Sequence, residues 1–181
     1  MQLIKVLFLV ALGLMAANGA GAASQSSEGN DSQWTIDRQV DYIVAGIISY
    51  SRWPKRRPPT KGCILGSTPF LPVLLEQNSL GYSYTWQYYE SHESVDLSDC
   101  DILYLGLLEP GTAGRILFET SGKALLSINE NDPECDDGSL ICLNPDATES
   151  SFQVNLDAVA RSGIRIHPQV LKLGKELRAA Q

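Results

Sequence analysis

The side chains of this sequence best suited to chemistry are four cysteines, Cys63, Cys100, Cys135 and Cys142, and two histidines, His92 and His167. Cysteines can ligate a metal, exchange electrons or cross-link a chain. No CxxC is present, which removes the signature of a thiol oxidoreductase. Both histidines are far from the cysteines in sequence, so no zinc-ligand spacing is formed. Cross-linking remains, and an even number of cysteines in an exported chain reads as disulfides. Of the three connectivities, the natural local pair is Cys135 with Cys142, which flank the turn Asp136-Asp137-Gly138. Cys63 then pairs with Cys100. Loop-closure entropy gives about 2.5 kcal/mol for the short loop and about 4 kcal/mol for the long one.

The remaining candidates for chemistry are weaker. No GxSxG, HExxH or P-loop pattern occurs. His92 lies in the polar run Ser91-His92-Glu93, and His167 precedes Pro168. A catalytic histidine needs a nucleophile and an orienting group, and the sequence supplies neither. Gly62, Gly66 and Ser67-Thr68 fit a strand-to-helix turn rather than a phosphate loop. The acidic run Glu130, Asp132, Glu134, Asp136, Asp137 departs from EF-hand order and reads as a solvated loop. No catalytic residue, metal ligand or cofactor is assigned.

These residues need a scaffold, and the N-terminus places it outside the cytoplasm. Lys5, the apolar run Val6–Leu14 and small residues through Ala23 have the layout of a secretory signal peptide over residues 1–23, with cleavage expected near Ala22 or Ala23. The run is short for a permanent membrane anchor. Residues 24–33 are polar and patternless and read as a disordered leader. The domain is expected over residues 34–181, with no later segment apolar enough to be transmembrane. Without Lys5 the chain has 13 basic and 21 acidic residues, a net charge of −8. That balance argues against nucleic acid, which needs a basic footprint.

Within the domain, Val40, Ile43, Val44, Ile47 and Ile48 recur at helical spacing and predict a helix from Thr35 to Arg52, ended by Trp53-Pro54. Strands are expected at 62–66, 81–90, 100–106, 124–128, 140–143 and 152–156. Helices are expected at 69–77, 110–120, 157–162 and 168–178. Tyr82, Tyr84, Trp86 and Tyr88 alternate in the second strand, the mark of a half-buried strand near a sheet edge. This alternation predicts an α/β fold: one domain with a central, mainly parallel sheet and helices on both faces. Cys63 and Cys100 fall on neighbouring strands, within disulfide reach.

Two surface features stand out. Lys55-Arg56-Arg57, beside Arg52 and Trp53, is the one basic spot on an acidic chain. It reads either as a solvated loop or as a contact for an acidic partner or anionic headgroups. The enrichment of Trp and Arg at binding hot spots favours contact. The last helix carries Val170, Leu171, Leu173 and Leu177, more apolar residues than one short face needs, so Leu171 and Leu173 are further contact candidates.

Several landmarks recur in order: Arg52-Trp53-Pro54, Cys63-Ile64-Leu65-Gly66, Cys100-Asp101-Ile102-Leu103-Tyr104-Leu105, Leu125-Leu126-Ser127-Ile128, Phe152-Gln153-Val154-Asn155-Leu156, Gly163-Ile164-Arg165-Ile166 and Leu171-Lys172-Leu173. Following a signal peptide, this series resembles the YfiR family of periplasmic repressors across nearly the whole exported chain. The resemblance implies a non-enzymatic periplasmic protein that binds the periplasmic domain of an inner-membrane diguanylate cyclase, YfiN, and holds it inactive. It also implies sequestration by an outer-membrane OmpA-like lipoprotein, YfiB, which releases cyclic di-GMP synthesis and biofilm formation. A homodimer and the same two disulfides are implied as well. Lys55-Arg56-Arg57 is not part of the family pattern. Reduction of the short disulfide is expected to loosen residues 129–143 and weaken repression. The alternative from another class is a small-solute-binding domain, with a ligand at the carboxyl ends of the strands.

Overall fold

The structure is a computed structural model that describes residues 28–54, 58–59, 61–76, 84–145 and 150–179. The expected signal peptide, residues 1–23, and residues 55–57 lie outside these. The chain begins with helix α1 (Glu28–Tyr50), whose Val40, Ile43, Val44, Ile47 and Ile48 are buried. The helix starts seven residues before the expected Thr35 and takes up residues 28–33 of the expected leader. Once the apolar face is anchored, extension adds one hydrogen bond per residue without a new nucleation cost.

The helix ends two residues earlier than expected, at Tyr50. Ser51 turns its hydroxyl back to the carbonyl of Ile47. Ser51–Arg52 (β1) then pairs antiparallel with Arg165–Ile166 (β8), placing Ser51 opposite Ile166 and Arg52 opposite Arg165. The Tyr50 carbonyl accepts the His167 backbone N–H at 2.9 Å, which extends this ribbon.

The main sheet has six strands in the order β3-β2-β4-β5-β6-β7. These are β2 (Lys61–Leu65), β3 (Thr85–Tyr89), β4 (Ile102–Leu105), β5 (Leu126–Asn129), β6 (Ile141–Pro145) and β7 (Ser150–Val154). The first five are parallel and β7 closes the edge antiparallel to β6. Helices α2 (Leu71–Glu76), α3 (Thr112–Glu119), α4 (Leu156–Ser162) and α5 (Leu173–Ala179) complete the fold. This is the expected α/β architecture with its mainly parallel sheet.

Strand alternation divides the interior in two. Ile64, Ile102, Tyr104, Leu126, Ile128, Ile141 and Leu143 face a large core shared with α1, Leu74, Val170 and Leu173. Cys63, Leu65, Leu103 and Leu105 face a smaller core closed by Ile116 and Leu117 of α3. As expected, β3 is an edge strand; Tyr84, just before it, is buried and Tyr88, near its far end, is exposed. The expected final helix is divided into a 3-10 turn, Pro168–Lys172, and α5. Where α5 meets α1, a Cβ at Gly46 would lie 2.6 Å from Leu173 Cδ2, so the glycine makes the notch that this leucine fills.

Candidate functional site

Both expected disulfides are present. Cys63–Cys100 joins β2 to the residue before Asp101, with a Cα separation of 5.9 Å, and both cysteines are buried. Cys135–Cys142 joins the loop after β5 to β6, with a Cα separation of 5.5 Å. Cys142 is buried and Cys135 is half-buried. Cys135 holds a left-handed backbone with φ of 57°, unusual for a residue with a side chain.

The loop between β5 and β6 is organised around a carboxylate. Asp132 was expected to be solvated with its acidic neighbours, but it is only 4 % exposed. Its two oxygens accept the backbone N–H groups of Asp136 at 3.1 Å and Asp137 at 3.0 Å, which repays its burial. Asn155 caps α4 by accepting the Ala158 N–H at 2.9 Å, and its amide donates to the Cys135 carbonyl at 3.2 Å. Gln153 donates to the Pro133 carbonyl at 3.1 Å. The Asp137 carboxyl is pushed up by burial and by the neighbouring Asp132 and Asp136 charges. Asp137 and Gly138 also wall a cleft of about 420 Å³, with Leu117 and Phe118 of α3, Lys123 and Arg161. The state of the short disulfide is therefore connected to the shape of an open surface.

At the carboxyl ends of the parallel strands, Glu130 accepts hydrogen bonds from the Tyr104 hydroxyl and, at 2.8 Å, from the Thr68 hydroxyl. Burial pushes the Glu130 carboxyl up, and the two hydrogen bonds oppose this. Solutes in such sheets bind where the strand order reverses, here between β2 and β4. That point is bridged by backbone. The Ser67 N–H donates to Leu107 O at 3.3 Å and the Leu107 N–H donates to Ser67 O at 2.7 Å. A Cβ at Gly106 would lie 2.5 Å from Ser67 O, so the two chain segments are in direct contact.

Both histidines make local contacts. His167 Nδ1 accepts the Gln169 N–H at 3.2 Å and its ring stacks on Tyr50. His92 Nε2 lies 3.0 Å from Arg115 Nη2.

The sequence-derived contact residues separate. Arg52 is exposed and Leu171 is 61 % exposed. Trp53 and Leu173 are corrections: at 5 % and 3 % exposure they belong to the core and are not available to a partner. Trp53 closes the large core after α1, with its indole N–H unpartnered among the described residues, and Leu173 fills the Gly46 notch. Lys55, Arg56 and Arg57 lie outside the described residues. The sequence did not single out Arg165, which faces Arg52, whose Nη1 donates to the Ser49 and Ser51 carbonyls. Arg165 is exposed and stands directly opposite Arg52, so the ribbon presents two guanidinium side chains on one face.

The fold and the two cross-links agree with a sequence comparison. The YfiR/HmsC-like family (DUF4154) matches residues 38–175, most of the chain and every strand of the fold. The chain belongs to the YfiR/HmsC-like family. That family is one of periplasmic regulators and is non-catalytic. Among the described residues, no helix is long and apolar enough to cross a membrane.

Proposed function

We propose that this chain is a periplasmic repressor of a YfiN-type diguanylate cyclase in the inner membrane. In this reading it is exported by residues 1–23 and binds the periplasmic domain of the cyclase. It then holds back cyclic di-GMP synthesis and biofilm formation. A YfiB-like OmpA-type lipoprotein of the outer membrane competes for it, and the repressor acts as a homodimer. Competition for one surface is sufficient for such a switch, since each partner shifts the population by its own affinity.

The observation that carries the reading is the family match over residues 38–175. The contact surface we assign is the β1–β8 ribbon with the turn that follows it. Like charges directly opposite across two strands are unfavourable. Arg52 and Arg165 therefore suit an acidic partner surface, and exposed Leu171 adds an apolar contact. Lys55, Arg56 and Arg57 would extend the same positive charge.

Reduction of Cys135–Cys142 removes the clamp on residues 129–143 and weakens repression in this account. The short loop contributes about 2.5 kcal/mol, a large share of a domain's total stability. The test is capture of solubilised inner- and outer-membrane proteins on the oxidised protein, with and without reductant. Recovery of a diguanylate cyclase, diminished by reductant, is the expected result. Failure to recover one in either state, from a folded protein, would overturn the reading.

A further inference from the structure

Asp132 lies against the short disulfide as well as under its own loop. Its Oδ2 is 3.7 Å from Cys142 Sγ. The ligand atoms of Asp132, Cys135 and Cys142 all lie within 4.8 Å of one another. While the sulfurs are bonded to each other they are poor metal ligands. Reduction changes that. A dithiol reductant delivers two electrons and two protons, its own sulfurs close to a disulfide, and the Cys135–Cys142 bond opens to two thiols. Two thiols and a buried carboxylate then converge on one point.

Tetrahedral zinc, with bonds of about 2.3 Å to sulfur and about 2.0–2.2 Å to oxygen, needs about 3.5 Å between a sulfur and an oxygen ligand and about 3.8 Å between two sulfurs. The Asp132–Cys142 spacing already meets the first requirement. The second needs only side-chain rotation, because the two Cα atoms are 5.5 Å apart. We propose that the reduced protein binds zinc through Cys135, Cys142 and Asp132, with a water in the fourth position. Each thiol releases its proton to solvent as its Zn–S bond forms. The metal then bridges the same two residues that the disulfide joined.

Hydrogen bonds independent of the disulfide hold the ligand residues near one another, and the metal would restore the clamp that reduction removes. Asp132 is held by the Asp136 and Asp137 N–H groups, each oxygen accepting one and keeping a free lone pair. The Cys135 carbonyl is held by Asn155 and the Pro133 carbonyl by Gln153. The Ser139 hydroxyl, 3.1 Å from Cys142 Sγ, can donate to that sulfur as a thiolate. The neighbouring carboxylates of Glu134, Asp136 and Asp137 favour a cation and disfavour a bare dithiolate. Among the described residues, no comparable three-ligand group includes Cys63 or Cys100. This inference does not depend on the cyclase being the partner.

The test is a zinc titration of the whole protein, reduced with a phosphine, in competition with a chromophoric chelator and followed by native mass spectrometry. One zinc per chain is expected for the reduced protein and none for the oxidised one. Cys63→Ser/Cys100→Ser should retain the zinc, and Asp132→Asn should bind it at least about tenfold more weakly. Cobalt in place of zinc reports the ligands without any substitution, through sulfur-to-cobalt charge-transfer bands. Absence of stoichiometric zinc, absence of those bands, or Asp132→Asn affinity equal to wild type would each overturn the proposal.

Discussion

Cys63–Cys100 sits among Leu65, Leu103, Leu105, Ile116 and Leu125, whereas Cys135–Cys142 sits against the Asp132 carboxylate in an acidic loop. The first spans 37 residues and the second spans 7. The first joins neighbours that the sheet already holds in register, since β2 and β4 pair directly and the Asp101 N–H reaches Lys61 O at 2.9 Å. The second closes a loop that is also fastened by hydrogen bonds donated by the Asn155 and Gln153 amides and by backbone N–H groups that the Asp132 carboxylate accepts. One cross-link therefore secures a core that has other support. The other sets the conformation of a surface. Only the second includes a cysteine that is not fully buried, Cys135, and a reductant can begin there.

This contrast can be broken most directly at the long loop. Cys63→Ala/Cys100→Ala should lose about 4 kcal/mol in a denaturant titration, the largest effect among these variants. Cys135→Ser/Cys142→Ser should lose about 2.5 kcal/mol. A reversed order would mean that strain or residual structure outweighs loop length. Under graded reductant, alkylation followed by mass spectrometry should find Cys135 and Cys142 modified well before Cys63 and Cys100. Simultaneous modification would remove the distinction between a locked and a labile bridge.

A subtler test lies in the large core. Gly46→Ala should cost about 1–3 kcal/mol, because the new methyl group meets Leu173. Melting temperature measures this, and a neutral result would mean that α5 moves away freely. The smallest effect is expected at Glu130. Burial raises its folded pKa above the unfolded value, so its stabilising contribution is complete below the ordinary glutamate range. The contribution is then lost as pH rises through the raised pKa. Glu130→Gln should flatten the fall in stability from acid toward neutral pH. An unchanged slope would assign that fall to other carboxyls, Asp137 among them.

The same contrast explains what was legible in the sequence. Ile102–Leu105 is buried along its whole length, and its continuous apolar run reads directly as a central strand. The cysteine pairs followed from a turn and from adjacent strands. The β1–β8 ribbon was not legible, because two-residue strands carry no periodicity and are fixed by tertiary contact with the end of α1. Leu173 looked like a spare apolar residue because the notch at Gly46 lies more than a hundred positions away along the chain. Asp132 looked like one more solvated acid in an acidic run. Its burial depends on the N–H groups of Asp136 and Asp137, which converge on it only when the loop folds back. The arginine pair that we assign to the partner shares this origin, since Arg52 and Arg165 meet only through the ribbon.

The most direct measurement is calorimetric titration of the oxidised protein with the purified periplasmic domain of a YfiN-type cyclase, repeated for Arg165→Glu and after selective reduction of Cys135–Cys142. The account predicts saturable binding by the oxidised protein. Arg165→Glu should weaken it at least about tenfold at unchanged melting temperature, since losing one partner of a charge-complementary contact costs a few kcal/mol. Reduction should weaken it as well. No heat of binding from the folded, oxidised protein would contradict the account at its centre.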